Sequence, residues 1–354
     1  MPLVTRIQGR LTVSDEYTRY ARQLIFPGIG KDGQEKLLEA RVVLVGCGAD
    51  GTAIADRLVR AGVGHLTLID RDFIELNNLQ RQVLYDEDDL RANLPKAIAA
   101  ERKLRRINSQ VEITGLVADL NAENAEELLA GADLVMDGTD NFEARYIVND
   151  VCVKHGIPWV YCGVVSSYGM TMTIIPHQTP CLRCLFADAP PPGATATCDT
   201  AGIVNPIVTV VAGIAVAEGI KLLVGTGEHN QGIIHVDLWE NTFEVFDSGP
   251  PRPDCPTCGR GEYEFLERAS GAQAASLCGR NAVQIRVPDA RQLPLADVAE
   301  RLQAVSQVMA SNDYLVRFKV DGYEITLFAD ARAIIKGTDD ETVARSLYSK
   351  YVGV

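Results

Sequence analysis

Through the first half of the chain short apolar runs alternate with amphipathic stretches, and the alternation predicts a fold. Arg41–Val45, His65–Ile69, Val111–Val117, Asp133–Met136 and Ile157–Tyr161 read as strands. Between them Thr52–Ala61, the segment around Pro95–Ile107, Glu123–Leu129 and Phe142–His155 carry the helical pattern. Strands and helices taken in turn imply an α/β fold with a Rossmann-like, doubly wound, mostly parallel sheet, because parallel neighbours need a crossover between them. Ahead of the first strand lie a segment rich in Arg and Tyr, Glu16–Gln23, and a glycine-bearing turn, Pro27–Gly33.

From Met170 the spacing changes to period two. Met170–Ile175, Gly232–Leu238 and Thr242–Phe246 read as antiparallel strands appended to the sheet, with Pro206–Leu223 between them as a buried helix that has proline in its first turn. Pro190, Pro191, Pro192 and Gly193 predict a surface loop, and Gly249–Pro256 a second. One domain is expected over residues 1–261 and a small C-terminal α+β domain over 262–354. In the latter, Leu293–Ala304 is helical, and Asp321 and Gly322 join the strands Leu315–Val320 and Tyr323–Phe328 as a two-residue hairpin. Thr338 with Glu341 has the form of a capping box that opens a last helix.

Composition narrows the class. With 354 residues, 47% of them hydrophobic, the chain can bury an α/β core and a smaller second unit. A net charge of −13 argues against nonspecific binding to nucleic acid and leaves no polybasic segment for an anionic membrane. Residues 1–24 lack the apolar core of a signal peptide, and the apolar stretch Ile207–Ala217 is too short to span a bilayer. The expectation is a cytoplasmic protein. Nine cysteines without a secretion signal point to metal or thiol chemistry before disulfides.

Gly46, Gly48 and Gly51 follow the first strand, and Asp70 ends the second. Glycines let the backbone approach phosphates and open a helix whose N-terminus favours anions, while the acid can hold ribose hydroxyls. The same loop also suits a nicotinamide dinucleotide, or a tight turn with no ligand. The run after Asp70 favours a triphosphate: Asn77, Asn78, Gln80, Arg81 and Gln82 put amides and a guanidinium past the ribose position, and Lys96 follows. The alternatives are a solvated helix for the run and an ordinary surface lysine for Lys96. Asp140, just past the fourth strand, faces the crevice of an open sheet and suits magnesium, or else caps the next helix. Cys198 is either a structural thiol or a transient acyl or sulfur acceptor in an accessible loop. Cys181 with Cys184, and Cys255 with Cys258, form two Cys-x-x-Cys knuckles that suit a closed, structural zinc site. The five histidines show no paired spacing.

These residues together resemble the ThiF/MoeB family, bacterial relatives of ubiquitin-activating E1 enzymes. The resemblance covers roughly residues 14–260. It rests on Arg19–Gln23, the loop Gly46–Gly51, Asn78–Gln82, Pro95 with Lys96, Asp137–Asn141 and both cysteine pairs. It implies an enzyme that uses ATP and magnesium to adenylate the C-terminal glycine of a small ubiquitin-like sulfur-carrier protein, with structural zinc, usually as a homodimer. Asp70 would then hold the ribose, Asn78, Arg81 and Lys96 the phosphates, and Asp140 the magnesium. Arg22 resembles an arginine that reaches into the neighbouring subunit's site, and Cys198 the family's loop cysteine. Asp50 departs from the pattern, which commonly has a small or apolar residue there.

A C-terminal carboxylate is already ionised at neutral pH, so attack on the α-phosphate needs alignment and charge neutralisation rather than a general base. The stretch Ala331–Tyr351 resembles the tail of thiazole-branch enzymes, which points to thiamin biosynthesis ahead of molybdopterin. After Cys258 the chain has only Cys278, with nothing like a rhodanese cysteine loop, so sulfur would come from a separate cysteine desulfurase or rhodanese-like protein. The competing readings are an NAD(P)-dependent oxidoreductase and a nucleotide-binding scaffold.

Overall fold

The computed structural model describes residues 4–7, 10–13, 15–189, 198–267, 274–277, 281–287 and 292–353. The proline stretch 190–193 and Cys278 lie outside them. Two compact units emerge, one of Met1–Ala189 with Ile203–Glu267 and one of Pro190–Gly202 with Arg268–Val354. The break after Glu267 lies beyond residue 261 because the short helix Glu264–Glu267 buries Phe265 in the first unit, its ring 4.6 Å from that of Tyr146.

In the first unit a hairpin of β1 (Val4–Ile7) and β2 (Arg10–Val13) precedes an eight-stranded sheet. Its strands are β3 (Arg41–Val45), β4 (His65–Asp70), β5 (Glu112–Val117), β6 (Leu134–Asp137), β7 (Trp159–Val165), β8 (Tyr168–Ile174), β9 (Gly232–Asp237) and β10 (Thr242–Asp247). They lie in the order β10-β9-β8-β7-β6-β3-β4-β5. β3 to β7 pair in parallel and β7 to β10 antiparallel, as the change of period predicts. Helices Ala49–Ala61 and Lys96–Ile107 pack in one apolar core and Phe142–His155 in another, so the central strands β3, β6 and the start of β7 are covered on both faces, which explains their near-continuous apolar runs.

The helix Asn205–Val224 corrects two expectations. At about 1.5 Å per residue its 20 residues reach about 30 Å, so it is long and apolar enough to cross a bilayer by length and composition. It packs instead against Ala49–Ala61, β7 and β8, and only half of it is buried; Thr209, Val210 and Ala217 are exposed. The turn expected over Pro27–Gly33 is confined to Pro27–Ile29, because Gly30 opens the helix Gly30–Glu39.

The second unit holds a six-stranded antiparallel sheet of β11 (Ala274–Leu277), β12 (Ala282–Ile285), β13 (Gln307–Ser311), β14 (Leu315–Val320), β15 (Tyr323–Phe328) and β16 (Ala333–Lys336), in the order β11-β12-β16-β15-β14-β13. Alternate residues such as Val316, Phe318, Ile325 and Leu327 form one core with Val298 and Leu302 of the helix Leu295–Gln303 and Leu347 of Glu341–Tyr351. Asp321 and Gly322 turn β14 into β15 at φ +51° and +86°, as the hairpin reading requires. The last helix is capped by Asp340, not Thr338: the Asp340 carboxylate accepts the N–H groups of Thr342 at 2.7 Å and Val343 at 3.3 Å.

Candidate functional site

β3 has β4 on one side and β6 on the other, so the crossovers leave it in opposite directions and open a crevice past the carboxyl ends of the strands. The glycine loop lies there. Gly46 leaves β3 at φ +91°, and a Cβ on it would stand 2.5 Å from the Gly138 carbonyl oxygen. A Cβ on Gly51 would fall 1.9 Å from the Gly46 carbonyl oxygen. The loop, the helix Ala49–Ala61 and the end of β6 therefore touch backbone to backbone. Gly48 is different, since a Cβ there would meet nothing nearer than 3.8 Å. Packing does not require that glycine, which leaves its backbone for close approach by a ligand.

Asp70 accepts the backbone N–H of Cys47 at 2.6 Å and of Asp72 at 2.7 Å. Burial holds its pKa above the ordinary carboxylate value, against the pull of Lys96. A carboxylate has about four lone-pair positions, so capacity for hydroxyl donors remains. Lys96 is no surface lysine: it is 5% exposed, and its Nζ lies 3.2 Å from Asp72 Oδ2. The Tyr85 hydroxyl sits 2.9 Å from the Cys47 carbonyl oxygen and 3.1 Å from that of Lys96, bridging the loop to the helix that carries the lysine.

The run after Asp70 is a tight turn rather than a solvated helix. Asn78 is buried at the end of the 3-10 turn Leu76–Asn78; its Oδ1 accepts Glu75 N–H at 3.1 Å and its Nδ2 donates to Asn77 Oδ1 at 3.0 Å. Arg81 donates to the Asn77 carbonyl oxygen at 2.8 Å and stays partly exposed. Gln82 is buried with Oε1 lacking a partner.

On the opposite rim Asp140 is exposed, and Asn141, not Asp140, caps the helix Phe142–His155 by accepting Glu143 N–H at 2.9 Å. The turn that carries Asp140 is held from behind by Arg145. Its guanidinium donates to Asp137 Oδ2 at 2.8 Å, to the Thr139 carbonyl at 2.7 Å and to the Cys162 carbonyl at 2.9 Å. Burial works against its charge, yet Asp137 keeps its pKa above the ordinary arginine value. The sequence reading missed Arg145, Asp72 and Tyr85; the signal for Arg145 was a cation shortly past the end of an apolar strand, buried in the same helix as Asn149 and Asp150. Asp50 points inward. It is 6% exposed, its Oδ1 has no hydrogen-bond partner, and burial pushes its pKa up to about 7.

The sulfur atoms of Cys181, Cys184, Cys255 and Cys258 all lie within 4.8 Å of one another. Cys181 to Cys255 is 3.6 Å, Cys184 to Cys258 is 3.3 Å and Cys181 to Cys184 is 4.0 Å. Zinc–sulfur bonds of about 2.3 Å give a tetrahedron with edges of about 3.8 Å, so the four thiols fit zinc and leave no open position. The helix Phe142–His155 anchors both knuckles: Asn149 accepts Leu182 N–H at 2.9 Å, and Asp150 accepts the Thr257 hydroxyl at 2.9 Å. Cys47, Cys152 and Cys162 are buried, and burial raises each thiol's pKa, which marks them as packing residues.

One expected residue, Arg22, is not brought into this crevice. Arg22 is exposed on the helix Ala21–Ile25, and its neighbour Gln23 donates to the Ala61 carbonyl at 3.0 Å. That carbonyl is at the far end of the helix Ala49–Ala61 from the glycine loop, about 20 Å along the axis. Cys198 opens a four-residue helix, Cys198–Ala201, in the second unit, and its side chain lies outside the described residues.

The model of the ThiF family matches residues 20–257. The chain is 49% identical to the sulfur carrier protein ThiS adenylyltransferase of Bacillus subtilis, over 95% of this chain and 99% of that one. It is 39% identical to the sulfur carrier protein adenylyltransferase of Thermus thermophilus, over 69% of this chain and 92% of that one. Among solved structures, E. coli MccB with ATP matches with a TM-score of 0.60 at 26% identity, covering 70% of this chain and 76% of the other. With a fold, a glycine loop and a family match over the same residues, the chain belongs to the ThiF family.

Proposed function

We propose that this protein adenylates the C-terminal glycine carboxylate of a small ubiquitin-like sulfur-carrier protein ending in Gly-Gly, consuming ATP and releasing pyrophosphate, for thiamin thiazole biosynthesis. The observation that carries the reading is the glycine loop packed against Gly138, with Asp70 and buried Lys96 beside it. Asp70 holds the ribose; Asn78, Arg81 and Lys96 take the phosphates. Magnesium bound at Asp140 would neutralise polyphosphate charge. The carrier's carboxylate attacks the α-phosphate as pyrophosphate leaves, and the fixed cations lower the cost of charge gathered there. The thiazole branch is favoured because the match to the ThiS adenylyltransferase runs through almost the whole chain. In the molybdopterin alternative the same site would serve another carrier.

Zinc in the four-cysteine site plays a structural part. The sulfur donor is a separate cysteine desulfurase or rhodanese-like protein, and the reaction is cytoplasmic. The enzyme works as a homodimer in which Arg22 serves the neighbouring site, a reading supported by its distance from its own glycine loop. The exposed apolar face of Asn205–Val224 and exposed Ile25 and Phe26 supply surface for such a contact. Cys198 serves as a transient acyl or sulfur acceptor in the step that follows adenylation.

ATP–pyrophosphate exchange tests the activity: exchange should depend on a carrier ending in Gly-Gly, and its absence with both thiazole and molybdopterin carriers would refute the proposal. Mixing Arg22→Ala with Asp140→Ala protein should recover part of the activity each lacks. No recovery despite subunit exchange would sink the shared site.

A further inference from the structure

One residue of the glycine loop works against an anionic ligand. Asp50 lies in the first turn of Ala49–Ala61, two residues past Gly48, where the free N–H groups of a helix start attract an anion from outside. The side chain turns away from water, at 6% exposed. The titratable and charged groups around it are Arg145 from Phe142–His155, Asp137 at the end of β6, Asp140 in the next turn, and Tyr161 and Cys162 of β7. Asp50 Oδ1 is hydrogen-bonded to none of them. Arg145, the cation of this group, is already committed to Asp137 and to the carbonyls of Thr139 and Cys162.

We propose that Asp50 is an affinity-determining residue of the nucleotide site, whose carboxyl takes up one proton from solvent when a polyphosphate occupies the glycine loop. The inference rests on reading that loop as a nucleotide site. An ionised Asp50 and the phosphates would share one helix start with little water between them, and Arg145, the cation beside Asp50, is already committed to Asp137 and two carbonyls. Protonation removes it. Burial has already raised the carboxyl's pKa to about 7, so the neutral form is well populated before the ligand arrives. If only that form binds tightly, the apparent Kd scales inversely with its population and weakens about 25-fold between pH 6.5 and 8.5.

The test is calorimetric titration of the full-length, zinc-loaded chain with ATP and magnesium at pH 6.5, 7.5 and 8.5. It is run in two buffers of different ionisation enthalpy, on wild type, Asp50→Asn and Asp50→Leu. Wild type should lose about 25-fold in affinity across the range and take up close to one more proton at pH 8.5 than the variants. ATP's own protonation is common to all three proteins and cancels. Two variants keep the comparison readable if one fails to fold. Wild-type slope and proton count in a folded variant would overturn the inference while leaving the nucleotide site intact. Absence of ATP binding in all three proteins at every pH would overturn the site itself, and the inference with it.

Discussion

Replacing Asp50 with Asn should stabilise the ligand-free protein, and by more as the pH rises. The folded carboxyl has a pKa of about 7 against 3.8 for the ordinary group. Below about pH 4 both folded and unfolded chains hold the proton, and ionisation costs nothing. Between about pH 4 and 7 the unfolded chain releases the proton while the folded one keeps it, so wild-type stability falls by about 1.4 kcal/mol per pH unit and levels off above 7. The full effect approaches about 4 kcal/mol, of which about 2 kcal/mol develops between pH 5.5 and 8.5. Both tryptophans, buried Trp159 and exposed Trp239, belong to the first unit, so urea unfolding followed by their fluorescence reports the unit that holds Asp50. The asparagine variant should gain about 2 kcal/mol over wild type across that range, with other titrations cancelling in the difference. A gap constant to within about 0.5 kcal/mol would refute the buried, unpaired reading of Asp50.

Arg145→Met should cost about 3–5 kcal/mol in the same unfolding assay, because Asp137 would keep its burial and lose its guanidinium; unchanged stability would mean that the clamp is not formed. Gly51→Ala should destabilise the fold strongly, its Cβ meeting the Gly46 carbonyl oxygen, whereas Gly48→Ala should cost about 1 kcal/mol and act mainly on ATP affinity. Equal stability losses for the two would show that Gly48 is a packing residue. Metal analysis of fresh protein should find zinc in a ratio near one per chain, and its removal by chelator or Cys181→Ser should lower the melting temperature. Metal-free protein of unchanged melting temperature would leave the cysteine cluster without a structural role.

Much of the sheet was legible because its signals are local. Arg41–Val45 and Phe142–His155 coincide with their predicted limits, since an apolar run or a helical repeat is written in neighbours within a turn of one another. The Cys-x-x-Cys pairs announce themselves through spacing in the same way. Other elements were hidden. Gly30–Glu39 has four charged residues in its first seven and two glycines, so its composition favours a turn. Thr338 and Glu341 matched a capping pattern, but Asp340, one residue before the helix, holds the free N–H groups with a shorter reach.

By itself the sequence determined the alternating α/β architecture, the antiparallel extension, the small C-terminal unit, the glycine loop with its acid at the second strand's end, and the family. Each is carried by residue type at short spacing. Only the tertiary structure decided which side chains face in. Lys96 is buried against Asp72, and Arg145 joins the end of β6 to β7. Asp50 turns into the protein with its Oδ1 lacking a hydrogen-bond partner, and Arg22 sits at the far end of the helix that the glycine loop begins. These facts depend on backbones approaching between residues far apart in the chain, as Gly46 does Gly138, and on dielectric surroundings that no local pattern encodes.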